Sequence, residues 1–188
     1  MTYPDWFSHT AKPNFEKHLL PLAGKDHYKC MQIGAFTGDA SLWLARNVLT
    51  SDTAHLLDLD TWLGSKEEAH TAMDFADVHN TYKEKIKPYP NTISWVLGDS
   101  FINLQSIYDS FDFIYIDGDH TTIGVLLDAE LSWPKLKSGG ILAFDDYTWG
   151  SNLLPYLTPK PAIDMFVDRH KDELEILDIN DQYWVKKK

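Results

Sequence analysis

The sequence predicts an α/β domain whose mostly parallel, seven-stranded sheet ends in a C-terminal antiparallel hairpin. Short apolar runs alternate with helical stretches, a glycine turn follows the first run, and the tight polar turn Asn180-Asp181 joins the last two. We predict a single domain over 1–188, with an N-terminal helical cap (1–27), a core (28–147) and a C-terminal helix and hairpin (148–188).

Seven apolar runs predict the strands. Five of these runs are expected to pair in parallel, and the fourth is the richest in aromatic and β-branched residues. In chain order the predicted strands are 28–33, 54–60, 92–97, 111–116, 141–144, 174–179 and 182–185.

Helical spacing of apolar residues fills the intervals between the strands. In the cap, four apolar residues can share one helix face: Phe15, Leu19, Leu20 and Leu22. Helices are predicted from Asp39, over 65–87, over 101–108, through 125–131 and over 162–170.

The composition excludes several classes of protein. With 17 Lys+Arg against 28 Asp+Glu the net charge is −11, which disfavours binding to nucleic acid. No apolar run approaches the ~20 residues that span a bilayer, and the start lacks the pattern of a signal peptide. A single cysteine, Cys30, excludes an internal disulfide framework and a Cys-rich zinc site. We therefore expect a cytoplasmic protein with no membrane partner.

Every predicted parallel strand ends in a carboxylate or a glycine turn. In an open α/β sheet, ligands bind outside the carboxyl ends of the strands. A helix N-cap would explain any one such carboxylate, but five ends in order favour a binding site. The strand ends carry Gly34–Gly38, Asp60, Asp99-Ser100, Asp117–His120 and Asp145-Asp146.

The glycine turn after the first strand argues against a dinucleotide. A G-x-G-x-x-G turn needs its second glycine so that the backbone can approach a pyrophosphate. Phe36 occupies that place, between Gly34 and Gly38. The turn therefore favours a nucleoside cofactor that carries no phosphate.

The next two strand ends supply groups suited to adenosine. Asp60 can accept hydrogen bonds from ribose hydroxyls, and Trp62 offers a face for adenine. Asp99 can accept from the adenine amino group, with the Ser100 hydroxyl beside it. S-Adenosylmethionine is therefore the expected cofactor.

These segments resemble the class I S-adenosylmethionine-dependent methyltransferases, most closely a small bacterial and phage branch (methyltransferase family 24-like). The resemblance implies a Rossmann-like sandwich and places Gln32 and the glycine turn at the methionine end of the cofactor. Two positions depart from the pattern, because Gln32 replaces a usual Glu and Ala40 a usual Ser. The matching segments are Gln32–Gly38, Asp60–Trp62, Gly98–Ser100, Phe111–His120 and Gly139–Tyr147.

Strands four and five are also similar to the metal-dependent catechol and caffeoyl-coenzyme A O-methyltransferases. This resemblance implies that Asp117, Asp145 and Asp146 bind a metal and that His120 takes the place of a catalytic Lys. Oxygen ligands favour Mg²⁺ or Ca²⁺, and a bound cation would activate a hydroxyl. Alternatively, Asp117 serves the cofactor's amino group, Asp146 caps a turn and His120 is a hydrogen-bonded turn residue.

The predicted function is methyl transfer to a hydroxyl of a small-molecule or sugar-like acceptor, with His120 and Asp117 as catalytic residues. Only about 27 residues precede the first strand, so the acceptor site is expected to be open or completed by a partner chain in a homodimer. The alternatives are a non-catalytic cofactor-binding module and a metal-dependent hydroxylase-like enzyme on the same scaffold.

Overall fold

A computed structural model describes residues 3–65 and 68–188 of the chain. Seven strands form one sheet, in the order β3-β2-β1-β4-β5-β7-β6. The strands are β1 (Lys29–Ile33), β2 (His55–Asp60), β3 (Ile93–Leu97), β4 (Phe111–Ile116), β5 (Leu136–Phe144), β6 (Leu174–Ile179) and β7 (Tyr183–Lys187).

The strand directions confirm the predicted fold class. Strands β1 to β5 pair in parallel, whereas β7 runs antiparallel to both β5 and β6. Because β1 lies between β2 and β4, the chain order reverses beside β1. In open α/β sheets this reversal opens a crevice at the carboxyl ends of the strands. The first glycine turn leaves β1 at that crevice.

The helices cover both faces of the sheet. They are α1 (Trp6–His9), α2 (Lys12–Leu19), α3 (Asp39–Asn47), α4 (Phe75–Ile86), α5 (Ser100–Leu104), α6 (Thr122–Ser132) and α7 (Lys160–His170). One buried cluster includes residues of α2, α3 and α4, and the other includes residues of α5, α6 and α7.

Three predicted boundaries are wrong. The helix expected over 65–87 begins only at Phe75, because the Asp74 carboxylate accepts hydrogen bonds from the backbone N–H groups of Ala76 and Asp77 and so caps α4. Residues 66 and 67 lie outside the described residues. The helix expected over 101–108 ends at Leu104, and the strand expected over 141–144 extends back through Gly140 and Gly139 to Leu136.

The N-terminal helix α2 packs on the sheet through one aromatic side chain. The Phe15 ring meets those of Phe113, Tyr115 and Trp184 edge-on, with centroids 5.7, 4.9 and 5.5 Å away. The predicted apolar face holds for Phe15 and Leu19, which are fully buried, whereas Leu20 is 43% exposed.

Within 3–65 and 68–188, no helix has both the length and the apolar character needed to cross a bilayer.

Candidate active site

The glycine turn after β1 touches the turn after β4. Gly34 has φ +86°, and a Cβ there would lie 1.8 Å from the Asp117 carbonyl oxygen. Gly38 begins α3 with φ +83°, while Phe36, at φ +47°, also adopts the left-handed conformation. Because it has no side chain, Gly34 allows direct backbone contact between the turn after β1 and the turn after β4. A glycine is needed here for this contact as well as for the approach of a cofactor.

Asp60, at the end of β2, shapes the glycine turn. Its Oδ2 accepts hydrogen bonds from the backbone N–H groups of Ala35 and Phe36, at 2.7 and 2.9 Å. Its Oδ1 accepts another from the N–H of Trp62 at 2.7 Å. Asp60 lies where the sequence placed it and orders the backbone around the crevice. Its contact with a ribose stays a prediction.

The expectation that Trp62 offers an open face for adenine is wrong for this structure. The indole is only 4% exposed. It stacks on the His79 imidazole at 4.2 Å, and its Nε1 donates to the Phe36 carbonyl at 2.9 Å. Burial lowers the pKa of His79, which favours the neutral imidazole in this stack. The indole instead packs in the buried cluster with Tyr82, and the ring of the more exposed Trp95 meets it edge-on.

Gln32 lies beneath the glycine turn and is 2% exposed. Its Nε2 donates to the Gly34 carbonyl at 2.7 Å. Its Oε1 is buried and has no hydrogen-bond partner in the described part of the chain. Ala40 and Ser41, at the start of α3, are also buried. An orphaned buried acceptor beside the turn fits a ligand that brings N–H donors.

The turn after β3 places Asp99 and Ser100 at the same edge of the sheet. Asp99 is the N-cap of α5, where its carboxylate accepts a hydrogen bond from the N–H of Ile102 at 3.3 Å. The Asp99 side chain is exposed to solvent, so its carboxylate can accept further hydrogen bonds besides the one that caps α5. Both predicted residues therefore border the crevice.

Asp117, His120 and Asp146 meet where β4 and β5 end. One potential ligand atom from each lies within 4.8 Å of the other two. His120 Nε2 is 3.0 Å from Asp146 Oδ2 and 3.7 Å from Asp117 Oδ1. Asp146 has φ +57°, and this left-handed residue bends the chain as it leaves β5. The Trp149 ring lies 5.0 Å from the imidazole, edge-on. Such a set can bind a divalent cation or position a proton acceptor.

The local environment disfavours a negative charge on Asp117. Desolvation raises the pKa of its carboxyl well above the usual range, and the charges of Asp145 and Asp146 raise it further. The nearby imidazole of His120 opposes this shift. A cation at this point would relieve the repulsion among the carboxylates.

The group of potential ligand atoms contains His120 and not Asp145, in contrast to the expected ligand set of Asp117, Asp145 and Asp146. Asp145 Oδ2 accepts a hydrogen bond from the Tyr115 hydroxyl at 2.6 Å, and its Oδ1 accepts from Gln182 Nε2 at 2.9 Å. Asp145 turns toward Tyr115 and Gln182, whereas the left-handed φ of Asp146 turns that residue toward the crevice. His120 takes the place expected of Asp145.

A buried polar network behind Asp145 escaped the sequence prediction. The Gln182 Oε1 accepts hydrogen bonds from Asn14 Nδ2 and Trp184 Nε1, both at 2.9 Å. Asn14 also bonds Asn180 in the hairpin turn. The network joins α2 and the hairpin to the end of β5, and no sequence spacing links residues so far apart.

Two more buried carboxyls were missed. Asp58, on β2, is fully buried and accepts a hydrogen bond from the Tyr82 hydroxyl at 2.7 Å. Asp128, on α6, is 2% exposed. Burial raises the pKa of each to about 7. A single carboxylate on a helix usually faces solvent, so the sequence gave no signal for Asp128, whereas a charged residue inside the apolar run of β2 was a usable signal for Asp58.

The fold and the crevice define a class of protein, the class I methyltransferases, in which a glycine turn after β1 and carboxylates at the ends of the next strands line one edge of the sheet. Residues 31–147 match the family model described as "Methyltransferase domain". The chain belongs to this family.

One relative and two solved structures illustrate the similarity. The probable caffeoyl-CoA O-methyltransferase 3 of Dictyostelium discoideum is 27% identical over 172 residues, which cover 84% of this chain and 62% of that protein. The chain thus spans less than two thirds of this relative's length. The O-methyltransferase from Bacillus cereus, solved with S-adenosylhomocysteine (SAH), is 18% identical with a TM-score of 0.67, over 96% of this chain and 84% of that chain.

The second solved structure is MycE, a methyltransferase of mycinamycin biosynthesis, in complex with Mg and SAH. It is 14% identical with a TM-score of 0.63, over 100% of this chain and 51% of that chain. At these identities the two structures establish the shared fold.

Proposed function

We propose that this protein is an S-adenosylmethionine-dependent methyltransferase that methylates a hydroxyl oxygen of a small-molecule or sugar-like acceptor. Membership of the methyltransferase family and similarity to a probable caffeoyl-CoA O-methyltransferase support this reaction. The observation that carries the proposal is the meeting of Asp117, His120 and Asp146 next to the glycine turn. Groups for proton transfer and groups for cofactor binding lie at one crevice.

The cofactor site would use the residues around that turn. Gln32, Gly34, Phe36 and Gly38 would border the methionine half, and the orphaned Gln32 acceptor fits its ammonium group. The nucleoside half would lie near Asp60, Asp99 and Ser100. When bound, S-adenosylmethionine supplies a methyl group on a positively charged sulfur. The carboxylates at this edge attract such a cation.

The donor set also fits a divalent metal. Asp117 and Asp146 offer hard carboxylate oxygens and His120 an imidazole nitrogen, all within 4.8 Å. Carboxylates suit Mg²⁺ or Mn²⁺, and a single imidazole is compatible with the latter. When bound, a cation of this kind lowers the pKa of an acceptor hydroxyl. This proposal replaces Asp145 by His120 in the predicted set.

The protein's own part in the reaction is orientation and proton transfer. The fold would hold the acceptor oxygen in line with the methyl group, and such orientation supplies much of an enzyme's acceleration. His120 would accept the acceptor's proton at Nε2 after the 3.0 Å contact of this nitrogen with Asp146 Oδ2 opens, because a nitrogen that donates to a carboxylate has no free lone pair. Trp149 limits the space beside the imidazole. Nε2 cannot bind a metal and accept a proton at once, so these two roles of His120 are exclusive.

Calorimetry with SAH tests the proposal first, and methyl transfer to a panel of diols and sugars tests it second, with and without EDTA. We expect SAH binding in the micromolar range and turnover that His120→Ala lowers at least about 100-fold. His9→Ala, which alters a histidine in α1, is the control and should keep full turnover. Absence of SAH binding at millimolar ligand would overturn the proposal.

A non-catalytic cofactor-binding module is the second candidate, because Gln32 and Ala40 depart from the family pattern at the methionine end. It predicts SAH binding without turnover on any acceptor. A metal-dependent hydroxylase-like enzyme predicts metal binding without methyl transfer.

A further inference from the structure

A buried carboxyl, that of Asp128, lies under the turns that follow β3 and β4 at the crevice. Asp128, in the second turn of α6, is 2% exposed. Its Oδ2 has no hydrogen-bond partner within the described ranges. This same oxygen lies 3.5 Å from the position that a Cβ would take at Gly118. The orphaned atom therefore faces the turn that follows β4.

Gly118 is confined between Asp128 and the end of β1. A Cβ on Gly118 would also meet Ile33 Cγ2 at 3.1 Å. Asp117, the preceding residue, touches Gly34 through its carbonyl oxygen. Gly118 therefore lies between the Asp128 carboxyl and Asp117, the residue that touches the glycine turn after β1.

Ser100 connects the same carboxyl to the turn after β3. The Ser100 hydroxyl interacts with Asp128 and partly opposes the rise in the pKa of that carboxyl, which burial brings to about 7. Asp119 and Asp99, at the two neighbouring turns, raise it further. A buried carboxyl oxygen without a hydrogen-bond partner, such as Oδ2 here, is unfavourable, and an apolar residue at this position would avoid that penalty. The presence of a carboxyl here therefore points to a role at the turns after β3 and β4, which it faces.

We propose that Asp128 is a positioning residue for the nucleoside half of the cofactor site. From beneath, it holds Ser100 and Gly118 at a fixed separation, so that the turns after β3 and β4 form one wall of the crevice. This inference rests on the proposed function, because the wall has a task only when a nucleoside binds against it. Asp128 itself does not touch the reacting atoms.

The chain offers a matched control on the same helix. Ser132 lies one turn further along α6, is fully buried, and its hydroxyl lacks a partner among the residues described. Because α6 runs away from the carboxyl edge of the sheet, Ser132 is too far from the crevice to position either turn. Ser132→Ala and Asp128→Ala both remove a buried polar group from α6, and only the second removes one next to the crevice.

Calorimetry at pH 7 with SAH and with adenosine, well below each variant's melting temperature, tests the proposal. We expect Asp128→Ala to weaken both ligands at least tenfold and by the same factor, because the effect is confined to the nucleoside half. Asp128→Asn, which keeps the shape and the polar atoms, should stay within threefold of the unaltered protein. Ser132→Ala should stay within twofold.

Gly118→Ala provides a second route if Asp128→Ala does not fold. It keeps the carboxyl but forces Gly118 away from Ile33 and Asp128, and should weaken both ligands about tenfold. Affinities within twofold of the unaltered protein for Asp128→Ala, or for Gly118→Ala where the former does not fold, overturn the inference and leave the proposed function standing. Failure of the unaltered protein to bind SAH overturns both.

Discussion

The Nε2 atom of His120 lies 3.0 Å from Oδ2 of Asp146, although 26 positions of the sequence separate the two residues. His120 belongs to the turn after β4, and Asp146 follows β5 in a left-handed conformation. Since β4 and β5 are adjacent parallel strands, their ends lie side by side. This contact, with Asp117 beside it, gives the crevice a group able to bind a metal or to accept a proton.

Removing the charge of Asp146 should weaken metal binding. We expect Asp146→Asn to raise the dissociation constant for Mn²⁺ at least tenfold, because an amide oxygen attracts a cation far less than a carboxylate does. Calorimetric titration with MnCl₂ measures it. Asp168→Asn, at an exposed position of α7, is the control and should leave the affinity unchanged. Equal affinities in Asp146→Asn and the unaltered protein would mean that Asp146 is not a ligand.

Asp145 should matter for stability more than for the metal. Asp145→Ala removes the acceptor of the buried Tyr115 hydroxyl and the shorter of the two hydrogen bonds that the Gln182 amide donates, and we expect the free energy of unfolding to fall by about 3 kcal/mol. Urea unfolding measures the loss. The dissociation constant for Mn²⁺, measured on the folded variant, should change less than threefold. A loss of metal affinity as large as that of Asp146→Asn would restore Asp145 to the ligand set.

Stability should depend on pH through Asp58. Its pKa is about 7 in the folded protein against an ordinary value of 3.8, so the folded state holds the proton more tightly. Its contribution to stability is therefore complete below pH 4 and is lost as pH rises toward 7, by about 1.4 kcal/mol per pH unit at most. Asp58→Asn removes this loss.

Urea unfolding between pH 4.5 and 8 tests the Asp58 prediction. The free energy of unfolding of Asp58→Asn minus that of the unaltered protein should increase with pH, by about 3 kcal/mol across the range. A difference for Asp58→Asn that does not increase with pH would show that Asp58 titrates normally.

Gly34 should tolerate no side chain. A Cβ there would meet the Asp117 carbonyl at 1.8 Å, in addition to the strain of φ +86°. We expect Gly34→Ala to lower the free energy of unfolding by about 3 kcal/mol or more and to abolish SAH binding.

Gly139→Ala is the matched control for Gly34. Its φ is +77°, but nothing lies within 4 Å of the added Cβ, so the expected loss is about 1 kcal/mol from backbone strain alone. Urea unfolding of both variants separates close contact from strain. Equal losses would show that the contact between the two turns adds nothing.

The fold was predictable because local patterns determine it. The apolar run at Phe111–Ile116 and the glycine turn after β1 each specify a strand or a turn through residues that are close together in the sequence. Boundaries were less accurate where a cap or a neighbouring strand decides them. Asp74 shortens the predicted helix over 65–87, and pairing with Phe111 of β4 extends β5 back to Leu136.

By itself, the sequence determined that Asp60, Asp99, Asp117 and Asp146 lie at one edge of the sheet, because the ends of parallel strands meet at that edge. Only the tertiary structure decided which of these groups touch. The direction of a side chain there depends on single backbone angles and on packing partners far away in the chain. The left-handed φ of Asp146 turns it toward His120, whereas Tyr115 and Gln182 hold Asp145 in the core. For the same reason His79 covers Trp62, and Asp128 lies beneath Gly118.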